Sequence, residues 1–227
     1  MSAFFITGTG TEIGKTFVTA ALIRELRRCG RPVAALKPVA SGFDPAQAAA
    51  SDPGVLLAAL GEPLSAETLN RIAPWRFRAP LSPDMAAARE NRAIDFAALI
   101  AHSRNAIAEA PSTLLIEGVG GVMVPLDERH TVLDWIAALR IPAILVGGSY
   151  LGAISHVLTA LDALRSRSLA IATLVVNETP RSSVALDETA ATITRFADVP
   201  VITLPRLAQA SAPHPAIGQL TERLDRL

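Results

Sequence analysis

One short run constrains this chain more than any other feature. It is Gly8-Thr9-Gly10-Thr11-Glu12-Ile13-Gly14-Lys15-Thr16. An apolar strand pattern, Ala3–Thr7, leads into it, and a helical pattern, Gly14–Arg28, leads out of it and stops at Gly30. Glycines in such a turn let backbone N–H groups curl around phosphate oxygens, and the helix N-terminus adds partial positive charge. Lys15 is then placed on the β/γ-phosphates of a nucleotide and the Thr16 hydroxyl on Mg²⁺. The usual spacing leaves four residues between the first glycine and the Gly-Lys pair. Here five separate Gly8 from Gly14, so the loop is one residue longer.

The rest of the chain repeats the alternation that this loop begins. Val33–Leu36, Thr113–Ile116, Ala143–Val146, Ile171–Val176 and Val201–Leu204 are further apolar runs of strand length. Helical patterns lie between them at about 95–108, 131–139, 152–165 and 183–197. Strands separated by helices imply parallel pairing with right-handed crossovers, so the expected fold is α/β. It is a mostly parallel sheet with helices on both faces, of the P-loop NTPase type. Hydrophobic residues form 50% of the chain and aromatic ones only 4%, which suits the aliphatic interior of such a sheet. The stretch 44–92 differs, with Pro45, Pro53, Pro63, Pro74, Pro80 and Pro83 breaking it into short helices and long loops. It is expected to be an irregular insertion in a single domain spanning 1–227, and such insertions often carry function.

Charge and cysteine content exclude several classes. Lys+Arg and Asp+Glu are equal at 21 each, so no polyanion-binding face is indicated. Cys29 is the lone thiol, no stretch approaches the length of a membrane span, and Met1–Ile6 lacks a signal-peptide n-region. A reducing, cytoplasmic setting is expected.

Of the 21 cationic side chains only Lys15 and Lys37 are lysine. A lysine is a compact point charge that enters a tight phosphate site, where the broad guanidinium fork fits less well. Both follow strands at the carboxyl edge, where α/β sheets place ligands, although an ordinary strand-end charge also accounts for Lys37. The apolar run Leu114-Leu115-Ile116 ends in Glu117, followed by Gly118-Val119-Gly120-Gly121. A carboxylate there suits Mg²⁺, and the glycines permit close approach of an anion. By spacing, Asp52 is no better a second ligand than Asp44. His102, His130, His156 and His214 are scattered without metal spacing, and Ser82 and Ser149 lack a nucleophile-elbow setting. Trp75 and Trp135 are expected to fill core or interface gaps, Arg24, Arg27 and Arg28 to form a solvated helix face, and Cys29 to be structural.

Taken together, Gly8–Thr16 (GTGTEIGKT), Lys37–Gly42 (KPVASG) and Glu117–Gly121 (EGVGG) resemble dethiobiotin synthetase. Weaker matches follow in the same order over nearly the whole chain: Ser51-Asp52, Ala79–Pro83, Leu151–His156, Val176-Asn177 and Leu204–Leu207. The resemblance implies an ATP- and Mg²⁺-dependent ring-closing ligase. Its substrates would be 7,8-diaminononanoate and CO2, joined through a carbamate that ATP phosphorylates. It further implies that Lys37 and Lys15 are catalytic and that Thr16, Asp52 and Glu117 position Mg²⁺. ATP would lie along Glu12, Ile13, Gly14, Lys15, Thr16, Phe17, Asp52, Glu117, Gly118, Val119 and Gly120. Asn177 would read the adenine edge, and Pro205, Arg206 and Leu207 would flank the base. Ser41, Gly121 and Ser155 would contact the diamine or its carbamate, with the substrate tail near a homodimer interface.

The chain departs from that pattern at Gly10, Val119, Tyr150 and Ser155. The family often has an Asp, an Ala, a basic residue and an Asn at these positions; the last two changes bear on the substrate tail. Two other classes share parts of the motif. Amide-forming synthetases of the cobyrinate type usually add an amidotransferase domain with a nucleophilic cysteine, for which this chain has no room. Partitioning-type nucleotide switches carry an extra lysine early in the loop, and here no lysine precedes Lys15.

Overall fold

The computed structural model describes residues 2–110, 112–180, 182–207 and 213–226. Six strands form one parallel sheet: β1 (Ser2–Gly8), β2 (Val33–Leu36), β5 (Thr113–Glu117), β6 (Ala143–Gly147), β7 (Ile171–Asn177) and β8 (Val201–Leu204). Their spatial order is β2-β5-β1-β6-β7-β8, so β1 and its loop stand near the middle and β2 and β8 form the edges. Each strand runs one residue or none beyond its apolar pattern at the carboxyl end. There Gly8, Glu117, Gly147 and Asn177 complete β1, β5, β6 and β7.

The period-two alternation of the strands sorts their side chains between two cores. Phe4, Ile6, Ala35, Leu115, Ile144, Val146 and Val175 face one layer of helices. That layer is α1 (Lys15–Arg28), α2 (Asp52–Leu60) and α9 (Pro215–Leu224), which contribute Leu22, Ile23, Leu56, Leu60, Ile217 and Leu220. Phe5, Leu36, Leu114, Ile116, Leu145, Leu174 and Val176 face the other. It is built from α5 (Phe96–Glu109), α6 (Val132–Leu139), α7 (Ala153–Ser166) and α8 (Leu186–Thr194). The expected sheet with helices on both faces is thus observed. Trp135 of α6 is fully buried, packs edge-on against Phe5 with ring centroids 4.8 Å apart, and donates its Nε1–H to Ser103 Oγ at 3.1 Å. The indole is therefore a core element, with its polar atom satisfied.

The stretch 44–92 is more ordered than its prolines suggest. A 3-10 segment (Pro45–Ala50) leads into α2, followed by α3 (Ala66–Ile72) and α4 (Pro83–Arg89). Two three-residue strands, β3 (Val39–Ser41) and β4 (Trp75–Phe77), pair in parallel as a separate small sheet. Strands this short have no readable period, and so the sequence pattern does not show them. Leu57, Ile72, Phe77, Ala86 and Ile94 bury into the same cluster as Phe5 and Leu114. Helix α8 is shorter than the pattern at 183–197, because Ser182 Oγ engages Val184 in a turn before it. The arginines of α1 are not simply solvated: Arg27 donates to Ala59 O at 2.8 Å, at the carboxyl end of α2. Cys29, the C-cap of α1, is exposed.

Candidate active site

The phosphate loop owes its shape to two left-handed residues and one amide. Glu12 has φ 59° and Gly14 has φ 96°. Only glycine takes the second position freely, since a Cβ there would stand 2.2 Å from Asn177 Nδ2. That amide donates to Ile13 O at 3.0 Å, tying the tip of β7 to the loop. Thr9 N–H donates to Val146 O, and Val122 N–H donates to Gly8 O. The loop therefore hangs between β6 and the glycine turn after β5, with Gly121 against the Thr9 carbonyl. Val119 is buried in that turn, and Gly120 has φ 56°. Gly118 lies against the Phe5 ring, where a Cβ would meet Cε1 at 2.8 Å.

Both lysines are buried here, at 6% exposure for Lys15 and 2% for Lys37. Lys15 donates to Gly10 O at 2.7 Å, folded onto its own loop. Burial, and then the neighbouring Lys37 charge, push its pKa down to about 8. Lys37 uses all three ammonium hydrogens: Glu117 Oε1 and Gly118 O at 2.7 Å and Asp52 Oδ2 at 3.0 Å. Burial alone would lower its pKa, but the Glu117 and then the Asp52 carboxylates outweigh that and hold it above the usual lysine range. For Asp52, burial opposes ionisation, yet Lys37 and the Thr16 hydrogen bond win and keep the carboxyl below its usual range.

The oxygens around Thr16 form a set that fits a divalent cation. Thr16 Oγ1 lies 2.7 Å from both Asp52 Oδ1 and Glu117 Oε1. One hydroxyl hydrogen can serve only one of two acceptors fully, so three close oxygens share a single proton. Glu117 Oε2 is buried and has no partner among the described residues. A hydroxyl and two carboxylates at a phosphate loop are the hard donors that Mg²⁺ takes. The sequence pattern left Asp52 and Asp44 equivalent, and the structure separates them. Asp44 spends its side chain on Ala46 N–H as an N-cap, whereas Ser51 caps α2 and leaves Asp52 to face Thr16.

Other residues singled out in the sequence fall around this centre. Ile13 is buried against Gly8, and Phe17 packs toward the α1–α2–α9 layer. Ser41 ends β3, and Pro205, Arg206 and Leu207 leave the edge strand β8. Ser155 is exposed on the first turn of α7, outside the lysine–carboxylate cluster. Ser149 is fully buried and exchanges two hydrogen bonds with Thr179. Sequence reasoning weighed Ser149 only as a nucleophile and marked neither Thr179 nor Glu178, for which the nearest signal was adjacency to Asn177. Three of the histidines have other partners: His130 meets Asp127 and stacks on Phe96, His156 meets Tyr150, and His214 caps α9, while His102 packs edge-on against Trp75.

Over residues 2–214 the chain matches a family described as an AAA domain. An ATP-dependent dethiobiotin synthetase BioD of Acidiphilium cryptum (strain JF-5) is 57% identical over 178 residues, covering 78% of this chain and 80% of the relative. That of Methylobacterium nodulans (strain LMG 21967 / CNCM I-2342 / ORS 2060) is 52% identical over 212 residues, 91% of this chain and 94% of the relative. That of Pseudomonas aeruginosa (strain UCBPP-PA14) is 36% identical, covering 93% of this chain and 92% of the relative. Among solved structures, the MinC:MinD cell division complex of Aquifex aeolicus superposes over 100% of this chain and 95% of the other, with TM-score 0.59 and 11% identity. Chloroplast FtsY of Physcomitrella patens covers 98% of this chain and 65% of its own, with TM-score 0.52 and 15% identity. At such identities the likeness is one of fold.

Proposed function

The chain belongs to the dethiobiotin synthetase family, and from that premise we propose how its residues divide the work. It is an ATP-dependent ring-closing ligase that converts 7,8-diaminononanoate and CO2 to dethiobiotin, with ATP as co-substrate. One amine adds to the carbon of CO2 and loses a proton, giving a carbamate. A carbamate oxygen attacks the γ-phosphorus in line and ADP leaves. The second amine then attacks the carbonyl carbon, and the ring closes as phosphate departs with the C–O electron pair.

Chemistry of this kind asks mainly for charge neutralisation and positioning. Lys37 is the residue placed to stabilise the carbamate and the phosphoryl group in transit, because it is buried and stays protonated. Lys15 binds the β/γ-phosphates, and its depressed pKa reflects burial and the Lys37 charge, which outweigh the pull of Glu117 and Asp52. Glu12, Ile13, Gly14 and Phe17 lay the loop backbone along the phosphates, with Gly118, Val119 and Gly120 opposite. Thr16, Asp52 and Glu117 would hold Mg²⁺, which supplies charge screening for the polyphosphate when bound. Ser41 and the Gly121 amide take the diamine side, Asn177 and Pro205–Leu207 take the adenine, and Ser155 takes the substrate tail. A homodimer with that tail near its interface belongs to the same reading. In this reading the chain acts as one cytoplasmic domain; among the described residues no helix is long and apolar enough to cross a membrane.

The observation that carries the assignment is the junction of Lys37, Glu117, Asp52 and Thr16 beside the phosphate loop. The test is phosphate release from Mg·ATP with and without 7,8-diaminononanoate and bicarbonate, on wild type and Lys37→Gln. We expect release that requires the diamine, yields dethiobiotin, and falls about a hundredfold or more in the variant. Release that ignores the diamine would overturn the substrate, and full activity in Lys37→Gln would overturn the role of that lysine.

A further inference from the structure

Three consecutive residues at the tip of β7 each tie down a different loop. Asn177 Nδ2 donates to Ile13 O of the phosphate loop at 3.0 Å. Thr179 donates its N–H to Ser149 Oγ at 2.9 Å and accepts Ser149 N–H on Oγ1 at 3.0 Å, which fixes the loop after β6. Between them, Glu178 donates its N–H to Leu204 O at 2.9 Å and accepts Arg206 N–H on Oε2 at 2.7 Å. The loops that follow β1, β6 and β8 are thus all referenced to one strand end.

The third tie matters most, because among the described residues β8 is an edge strand that pairs only with β7. Past Leu204, Pro205 has no N–H to give, and the next backbone donor is that of Arg206. It meets the Glu178 side-chain oxygen at 2.7 Å, so the first free donor past the strand is held by the same residue that pairs with Leu204. We infer that Glu178 is a positioning residue for the nucleotide base: its carboxylate holds the Pro205–Leu207 backbone level with Asn177, so that the two flank one planar ring. The inference rests on the placing of adenine between Asn177 and that loop. No role in the phosphate chemistry is assigned to Glu178.

A positioning role of this kind separates the base from the phosphates, and the experiment exploits that. Mg·ADP affinity, inhibition by inorganic tripolyphosphate, and KM and kcat for ATP are measured on wild type, Glu178→Ala and Glu178→Gln. Glu178→Ala should weaken ADP binding and raise KM for ATP by roughly three- to tenfold, the loss of one solvent-exposed hydrogen bond, with kcat and tripolyphosphate inhibition unchanged. Glu178→Gln keeps an acceptor and should restore wild-type values to within about twofold. ADP affinity unchanged in Glu178→Ala, or tripolyphosphate inhibition weakened in proportion to it, would overturn the inference. Failure of diamine-dependent phosphate release in wild type, with the ADP-specific loss still present, would sink the named substrate and leave the inference standing.

Discussion

At the scale of single residues, the site is defined by side chains that have no slack. Lys37 has three hydrogens and three acceptors, Thr16 has one hydrogen and two, and Gly14 has room for nothing beyond its own backbone. Gly14 gives the sharpest prediction. Gly14→Ala imposes a left-handed conformation on alanine at about 1–2 kcal/mol and drives a methyl into the Asn177 amide. Urea unfolding should show at least that loss, and nucleotide titration should show weakened binding, because Asn177 must abandon Ile13 to make room. Lys15 and the loop glycines were legible in the sequence, since a phosphate loop needs those residue types in that order, whereas Lys37 was marked by the scarcity of lysine. Asp52 was not separable from Asp44, because what distinguishes them is which neighbour takes the capping role. The latch from Glu178 to Arg206 was likewise hidden: it joins residues 28 apart in the chain through a turn whose course no local pattern specifies.

Secondary-structure elements matter here chiefly through their ends. Helix α6 begins where Asp134 Oδ2 accepts both the N–H and the hydroxyl of Thr131 at 2.8 Å, while its other oxygen meets Arg167 at 3.1 Å. Burial works against the carboxylate, but those hydrogen bonds and the arginine outweigh it and lower its pKa. A carboxyl depressed in the folded state adds stability above its unfolded pKa and loses it as pH falls through the folded one. Asp134→Ala should therefore cost about 1 kcal/mol at neutral pH. The gap from wild type should close as pH drops below the ordinary carboxylate range, in parallel denaturation series at several pH values. Strand positions and the two helix layers followed from the apolar periods, which end one residue short of where β1, β5, β6 and β7 do. The small sheet of β3 and β4 did not, because three residues carry no period and their pairing is set by the helices around them.

Across the whole molecule, the strand order lines the carboxyl edge with function in sequence: Lys37 after β2, Glu117 on β5, the phosphate loop after β1, Asn177 on β7 and Pro205 after β8. Parallel pairing was readable from the chain, whereas this order was not, since it depends on long crossovers. A nucleotide laid along that edge touches both halves of the sheet and should stabilise the fold as a unit. With Mg·ADP at a hundredfold excess over its Kd, unfolding free energy should rise by about 2.7 kcal/mol. Chelating the metal, or Asp52→Ala, should remove part of that gain; an equal gain in EDTA would show that Thr16, Asp52 and Glu117 hold no cation. The near-absence of lysine has a practical side as well. The chain carries only two side-chain amines, both buried beside the phosphate loop, and Lys15, with its pKa lowered to about 8, is the more nucleophilic at neutral pH. Acylating reagents and aldehyde cross-linkers, which decorate the surface of most proteins, would find their lysine targets here only inside the catalytic centre. Bioconjugation by that route becomes a form of affinity labelling, from which a bound nucleotide should shield the enzyme.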